Sequence, residues 1–199
     1  MKALNIIVVA DIFGKSVEFE KLCQQIELSI AEPTTVKFHL IGPYQQQPEN
    51  FTSEQQAYQY FIEHVGLENY SELLLSLLNG IEGPKVLIGF SVGGSAIWQT
   101  MPDLVSHNIH HAICYYSSQI RHMAEQPTTV PTSLIFPKSE ASFSVDELIS
   151  VMQYKPHVNV EQCSYQHGFL NELSNNYDVF GRKEHVRKVI EFIKKSYLK

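Results

Sequence analysis

Cysteine, tryptophan and basic residues are all scarce in this chain of 199 residues. Its three cysteines, Cys23, Cys114 and Cys163, are odd in number and show no CxxC spacing. A disulfide framework or a zinc site is therefore not expected, and buried thiols in a reducing, cytoplasmic setting are the default. Lys and Arg total 15 against 21 Asp and Glu, for a formal charge of -6, and no basic block exceeds a pair such as Lys194-Lys195. That disfavours nucleic acid as a partner. Long apolar runs are missing too. Nothing approaches the roughly 20 residues of a membrane span, so no membrane association is expected. The apolar start, Leu4 to Ala10, is broken by Asn5 and closed by Asp11 with no small-residue cleavage site after it, and reads as a first strand.

What is present is an ordinary globular composition, 44% hydrophobic and 18% charged. A chain of this length supports one sizeable core, so a single domain over residues 1–199 is expected, as a monomer or homodimer. Strand-like apolar runs lie at Leu4 to Ala10, Thr35 to Ile41, Lys85 to Phe90, Ala112 to Ser117, Ser133 to Pro137 and Val158 to Cys163. They are nearly continuous, as befits strands buried on both faces of a parallel sheet. Between them apolar residues recur at three and four: Phe19, Leu22, Ile26 and Ile30; Leu73, Leu74, Leu77 and Leu78; Val186, Val189, Ile190, Ile193 and Tyr197. Ser16 can cap the first helix, Asn79-Gly80 can end the second, and Ser144 with Glu147 forms a capping box. Strand and helix alternating throughout predict a three-layer α/β fold with about six parallel strands and helices on both faces. Two irregular stretches, Gly42 to Thr52 and Ser118 to Pro131, follow strands, where ligands bind in open α/β sheets.

Within "VLIGFSVGGSAIW", Gly89-Phe90-Ser91-Val92-Gly93 matches G-x-S-x-G, with a strand before it and helix-compatible sequence after it. A serine at such a strand-to-helix turn is exposed for attack, and the flanking glycines remove side chains that would collide with the adjoining elements. A serine hydroxyl needs a base. In this arrangement the histidine follows the last strand, which selects His167 in "SYQHGFLNE". The orienting acid follows the strand Ser133 to Pro137, where Glu140 is favoured over Asp146, because Asp146 and Glu147 already suit the first turn of a capped helix. The oxyanion of a tetrahedral intermediate needs two donors, expected from the backbone N–H of Val92 and of Ile12, with Phe13 as the neighbouring choice. His107, His110 and His111 fall within five residues, but they precede a strand, at the edge away from its carboxyl end, and are read as structural. No metal or cofactor is expected.

Four motifs in order, "ADIFGK", "GFSVGG", "CYYS" and "HGF", resemble those of the dienelactone hydrolases within the α/β-hydrolase superfamily, from Leu4 to about Tyr197. The resemblance implies strand order 2-1-3-4-5-6 and a site at the carboxyl edge. There Ser91, Glu140 and His167 would converge, with Asp11, Phe13, Tyr116 and Phe169 bordering the substrate. It also shows departures. That family carries cysteine where this chain has Ser91, aspartate where it has Glu140, and an arginine a few residues after the histidine, where this chain has Leu170, Asn171 and Glu172. The expectation is therefore a serine hydrolase acting on a small neutral ester, thioester or lactone. The competing one is a binding or scaffold protein on a degenerate hydrolase fold.

Overall fold

A computed structural model describes residues 3–30, 36–48 and 51–197. Its sheet is formed by β1 (Leu4–Val9), β2 (Val36–Ile41), β3 (Lys85–Phe90), β4 (Ile109–Tyr115), β5 (Thr132–Phe136) and β6 (Val158–Gln162). All pairings are parallel and the order is β2-β1-β3-β4-β5-β6, the order implied by the resemblance. Thr35, placed in the second strand by sequence, lies outside the described residues.

The strand period of two sorts β1 between two cores. Ile7 and Val9 face one layer, with Phe61, Tyr70, Leu74 and Trp98. Leu4, Ile6, Val8 and Ala10 face the other, with Phe19, Leu22, Ile26, Val186, Val189 and Ile193. The first layer is built by α2 (Glu54–His64), α3 (Gly66–Asn79), α4 (Val92–Gln99) and α5 (Val145–Met152). The second is built by α1 (Val17–Ile30) and α6 (Val179–Tyr197). Ile6, Ile7 and Val8 are fully buried, and each such side chain contributes roughly 1.5–3 kcal/mol of burial free energy. Among the described residues no helix is long and apolar enough to cross a membrane.

The capping signals are used, with one change of mechanism. Ser16 Oγ accepts the Phe19 N–H at 3.2 Å, and Ser144 Oγ accepts that of Glu147 at 3.2 Å. Gly80 does end α3, but at φ −82, in right-handed geometry, so its backbone freedom is not what stops the helix. The polar α2 has no counterpart among the apolar periodicities, since it buries only Ala57 and Phe61. Its one sequence signal is Ser53 followed three residues on by Gln56, whose N–H caps on Ser53 Oγ at 3.1 Å. β4 starts three residues earlier than the apolar run suggests, which puts His110 and His111 inside the strand, at an irregularity in its pairing with β3, where both rings meet α6, His110 at Tyr197 and His111 at Phe192. His111 Nε2 meets Ser133 Oγ at 2.9 Å, and His107 Nε2 meets Asn79 Oδ1 at 3.0 Å, so the three rings do not converge. All three cysteines are free and buried.

Candidate active site

The site begins with a strained serine. Between β3 and α4, Ser91 sits at φ 50 and ψ −115. A non-glycine residue held this way costs roughly 1–3 kcal/mol and persists only where the surroundings over-determine it. Here they do. The Ser91 N–H donates to the Tyr115 carbonyl at 2.9 Å, and its own carbonyl accepts from the N–H and the hydroxyl of Ser95, both at 3.0 Å. The neighbouring glycines are sterically required. A Cβ on Gly89 would stand 2.5 Å from Gly94 Cα, one on Gly93 would collide with the carbonyls of Val9 and Ala10, and one on Gly94 would meet Ser117 Oγ. Because the groups facing Gly93 are strand backbone and cannot yield, Gly93→Ala is expected to destabilise the fold by about 1–3 kcal/mol, read as a lower urea midpoint.

Ser91 Oγ lies 2.9 Å from His167 Nε2, and His167 Nδ1 lies 2.7 Å from Glu140 Oε1. The acid and the histidine arrive together because the loops after β5 and β6 continue the pairing of those strands. The Cys163 N–H donates to the Phe136 carbonyl at 2.9 Å and the Lys138 N–H to the Tyr165 carbonyl at 2.7 Å. Ser139 Oγ donates to Gln166 Oε1 at 3.1 Å, and Glu140 then meets His167. Asp146 is elsewhere, on the first turn of α5, where its Oδ1 accepts from Gln162 Nε2 at 3.2 Å. His167 is further fixed by Asn176 Nδ2, which donates to its carbonyl at 3.0 Å, and by the Tyr116 ring, 5.0 Å away between centroids. The histidine side chain is 31% exposed and that of Glu140 12%, so a ligand can reach the ring while the carboxylate is shielded.

The loop after β1 separates the two amides expected there as oxyanion donors. The Phe13 N–H is committed to Asp11 Oδ1 at 3.0 Å. The Asp11 carbonyl accepts from Gly14 N–H at 3.0 Å inside the turn, so the opposed N–H of the same trans peptide, that of Ile12, points outward. Residues with no sequence signal brace this loop. The Tyr44 hydroxyl donates to the Ile12 carbonyl at 2.6 Å, while Gln47 takes the Lys15 N–H at 2.8 Å and donates to the Phe13 carbonyl at 2.7 Å. The irregular stretch after β2 is thus partly a scaffold for the site. Beside it lies a cleft of about 490 Å³ lined by Tyr44, Tyr60, His64 and Asn69.

Two of the expected substrate contacts are buried and engaged within the protein. Phe169 is fully buried and packed edge-on or stacked against Tyr115, Tyr116, Tyr165 and His185, so it supports the histidine loop. Asp11 is 4% exposed and has both oxygens engaged, one by Phe13 N–H and the other by Asn171 Nδ2 at 2.7 Å. Burial raises its carboxyl above the usual range, and the bonds from Asn171 and Phe13 oppose that. Phe13 and Tyr116 are buried as deeply, 5% and 1% exposed, and the Tyr116 ring lies 5.0 Å from that of His167. Glu172 is not a bare negative charge, since Arg182 pairs with it at 2.5 Å.

No protein-family model matches the chain. The uncharacterized protein YczH of Bacillus subtilis (strain 168) is 28% identical over 171 residues, covering 83% of this chain and 80% of its own. Among solved structures, the chain is similar to the dienelactone hydrolase-like promiscuous phosphotriesterase P91 from metagenomic libraries. That likeness has a TM-score of 0.67, 9% identity, and covers 98% of this chain and 87% of that one. Est1E from Butyrivibrio proteoclasticus follows at TM-score 0.62 and 11% identity, with 100% and 89% covered. The monoacylglycerol lipase of Paleococcus ferrophilus gives 0.64 and 10%, with 96% and 94% covered. The chain has the α/β-hydrolase fold, shared with dienelactone hydrolase-like proteins and with esterases and lipases.

Proposed function

We propose that this protein is a serine hydrolase that cleaves a small ester, thioester or lactone through an acyl-enzyme on Ser91. The observation that carries the reading is the unbroken chain of contacts, 2.9 Å from Ser91 Oγ to His167 Nε2 and 2.7 Å from His167 Nδ1 to Glu140, built on a serine in strained backbone. With Nδ1–H donating to Glu140, Nε2 is free to take the serine proton. The Oγ–carbonyl bond forms as that proton passes to His167. The oxyanion is met by the N–H groups of Val92 and Ile12. The intermediate then collapses with cleavage of the bond to the leaving oxygen or sulfur, which takes the proton back from His167. Water repeats the sequence and releases the acid and free Ser91.

The charged groups packed about the site, Asp11 and Glu140, are carboxylates, and the position four past His167 is an amide, Asn171, already bonded to Asp11. This favours an uncharged acyl group over the anionic lactones of the family that the sequence resembles. A degenerate scaffold has no need to hold Glu140 on His167, and the 2.7 Å contact weighs against that reading.

The test is covalent. A fluorophosphonate probe is expected to add its mass to the Ser91 peptide of the wild type and not to Ser91→Ala, with turnover of a short-chain aryl ester lost in the same variant. A wild type that is neither labelled nor active across several acyl chain lengths would overturn the proposal.

A further inference from the structure

The Asp11 carboxylate spans two loops that the proposed chemistry requires to be in register. One oxygen holds the Phe13 N–H at 3.0 Å, next to the Ile12 amide; the other holds Asn171 Nδ2 at 2.7 Å, four residues past His167. The Asn171 amide oxygen in turn accepts the Leu173 N–H at 2.9 Å. Asp11 and Asn171 are 4% and 7% exposed, so solvent is poorly placed to substitute for a lost partner. Their backbones are independently tied down. Asn171 N–H donates to the Gly168 carbonyl at 2.9 Å and Ser174 N–H to the Asn171 carbonyl at 3.0 Å, while Gly14 N–H closes the turn on Asp11. Among the described residues, the hydrogen bond between these two side chains is what joins the two loops here.

We infer that Asp11 and Asn171 form a polar latch that positions the oxyanion loop against the histidine loop, making Asp11 a positioning residue rather than a substrate contact. The inference rests on the serine-hydrolase reading for its effect on activity, but the bridge has its own logic. Its two outer groups, the N–H of Phe13 and of Leu173, are fixed donors. The side chains between them must present an acceptor to each and one donor–acceptor pair to each other. A carboxylate at 11 with an amide at 171 does this. So does the reverse, an amide at 11 with a carboxylate at 171. Two amides cannot, because one NH₂ must then face a backbone N–H or another NH₂. Two carboxylates set acceptor against acceptor across 2.7 Å.

The experiment is therefore a swap. Asp11→Asn is expected to lower kcat for an aryl ester by about 10²-fold with KM little changed, as for a misplacement on the order of 1 Å in a reacting constellation. It should also speed amide hydrogen exchange in peptides covering residues 12–14 and 168–177. The double variant Asp11→Asn/Asn171→Asp is expected to recover most of both losses. If Asp11→Asn does not fold, Asn171→Asp serves as the damaged parent for the same rescue. Wild-type kcat and wild-type exchange in Asp11→Asn would overturn the latch. So would a folded swap variant no better than its parents. The exchange arm reads the bridge directly: altered exchange together with an unlabelled, inactive wild type would sink the hydrolase reading while leaving the bridge, whereas unaltered exchange in a wild type that labels at Ser91 would sink the latch alone.

Discussion

Ser91→Ala and His167→Ala are each expected to lower kcat by about 10⁶-fold, and the double variant to lose no more, while Glu140→Gln costs about 10⁴-fold. The first equality follows from the shared step. Without Nε2 at 2.9 Å the hydroxyl keeps its proton, and without the hydroxyl the base has nothing to activate. The smaller loss at Glu140 has a different origin. A carboxamide can hold Nδ1–H only with its oxygen; turned the other way, its NH₂ forces the ring into the tautomer with the proton on Nε2, which can no longer accept from Ser91. Glu140→Asp separates reach from charge. Losing one methylene withdraws the carboxylate by about 1.5 Å from a contact that is now 2.7 Å. The loop cannot follow, because Lys138 and Ser139 are bonded to Tyr165 and Gln166 in the two preceding steps. Aspartate at this position is therefore expected to behave nearer to glutamine than to glutamate, even though aspartate stands here in the family that the sequence resembles. Steady-state turnover of an aryl ester and the rate of Ser91 phosphonylation check this together; a Glu140→Asp variant with wild-type rates would show that the loop is free to move.

The parts of this site that sequence made legible are those that one short segment specifies. Ser91 was marked by its glycines because each is needed within a few residues: Gly93 against the end of β1, Gly89 and Gly94 against each other. His167 and Glu140 were found from chain order, each in the loop after its strand. Why Glu140 and not Asp146 reaches the ring depends on pairing between residues 138–140 and 165–167, a contact between loops that no periodicity records. The bracing groups were invisible for the same reason. Tyr44 and Gln47 reach across more than thirty residues and Asn171 across 160, and each is a polar residue in an irregular stretch, where composition suggests only exposure. The resemblance set Phe169 beside the substrate, whereas the positive φ of Gly168, +85, turns the chain so that Phe169 enters the core under α6. The α2 helix escaped notice because its stability comes from a cap and from tertiary docking rather than from an apolar stripe. Its Glu54 takes the N–H and Nδ2 of Asn175 at 3.2 Å each, tying it to the histidine loop.

Two histidines away from the site are expected to make the fold acid-labile well above the carboxylate range. His185 on α6 is 1% exposed, and neither ring nitrogen has a hydrogen-bond partner; Tyr115, Tyr165 and Phe169 surround it with ring faces and edges. Burial lowers its pKa, Lys188 adding to the effect and Glu161 and Glu184 opposing it. Burial lowers that of His111 to about 4. Both rings are thus neutral in the folded state at a pH where the unfolded chain has begun to protonate them. Below an unfolded pKa of about 6.5 the unfolded state binds more protons, so stability falls as pH drops from there toward 4. For His111 the loss is on the order of 1–3 kcal/mol, the lower part applying because the ring is not wholly shielded. Asp11 works in the opposite sense: its raised pKa means that the native state takes up a proton before the unfolded chain does, which adds stability as pH falls through that raised pKa toward the ordinary carboxylate range. His185→Phe isolates the effect. It removes the titrating group and the unpartnered nitrogens from an aromatic environment beside a cavity of about 150 Å³. The variant is expected to match or exceed wild-type stability at neutral pH and to lose less of it by pH 4.5, as read from urea midpoints across that range. A wild type with a flat midpoint from pH 7 to 4.5, or a His185→Phe variant that follows the same slope, would mean that the ring finds a proton-accepting partner in solution and is not held neutral by its burial.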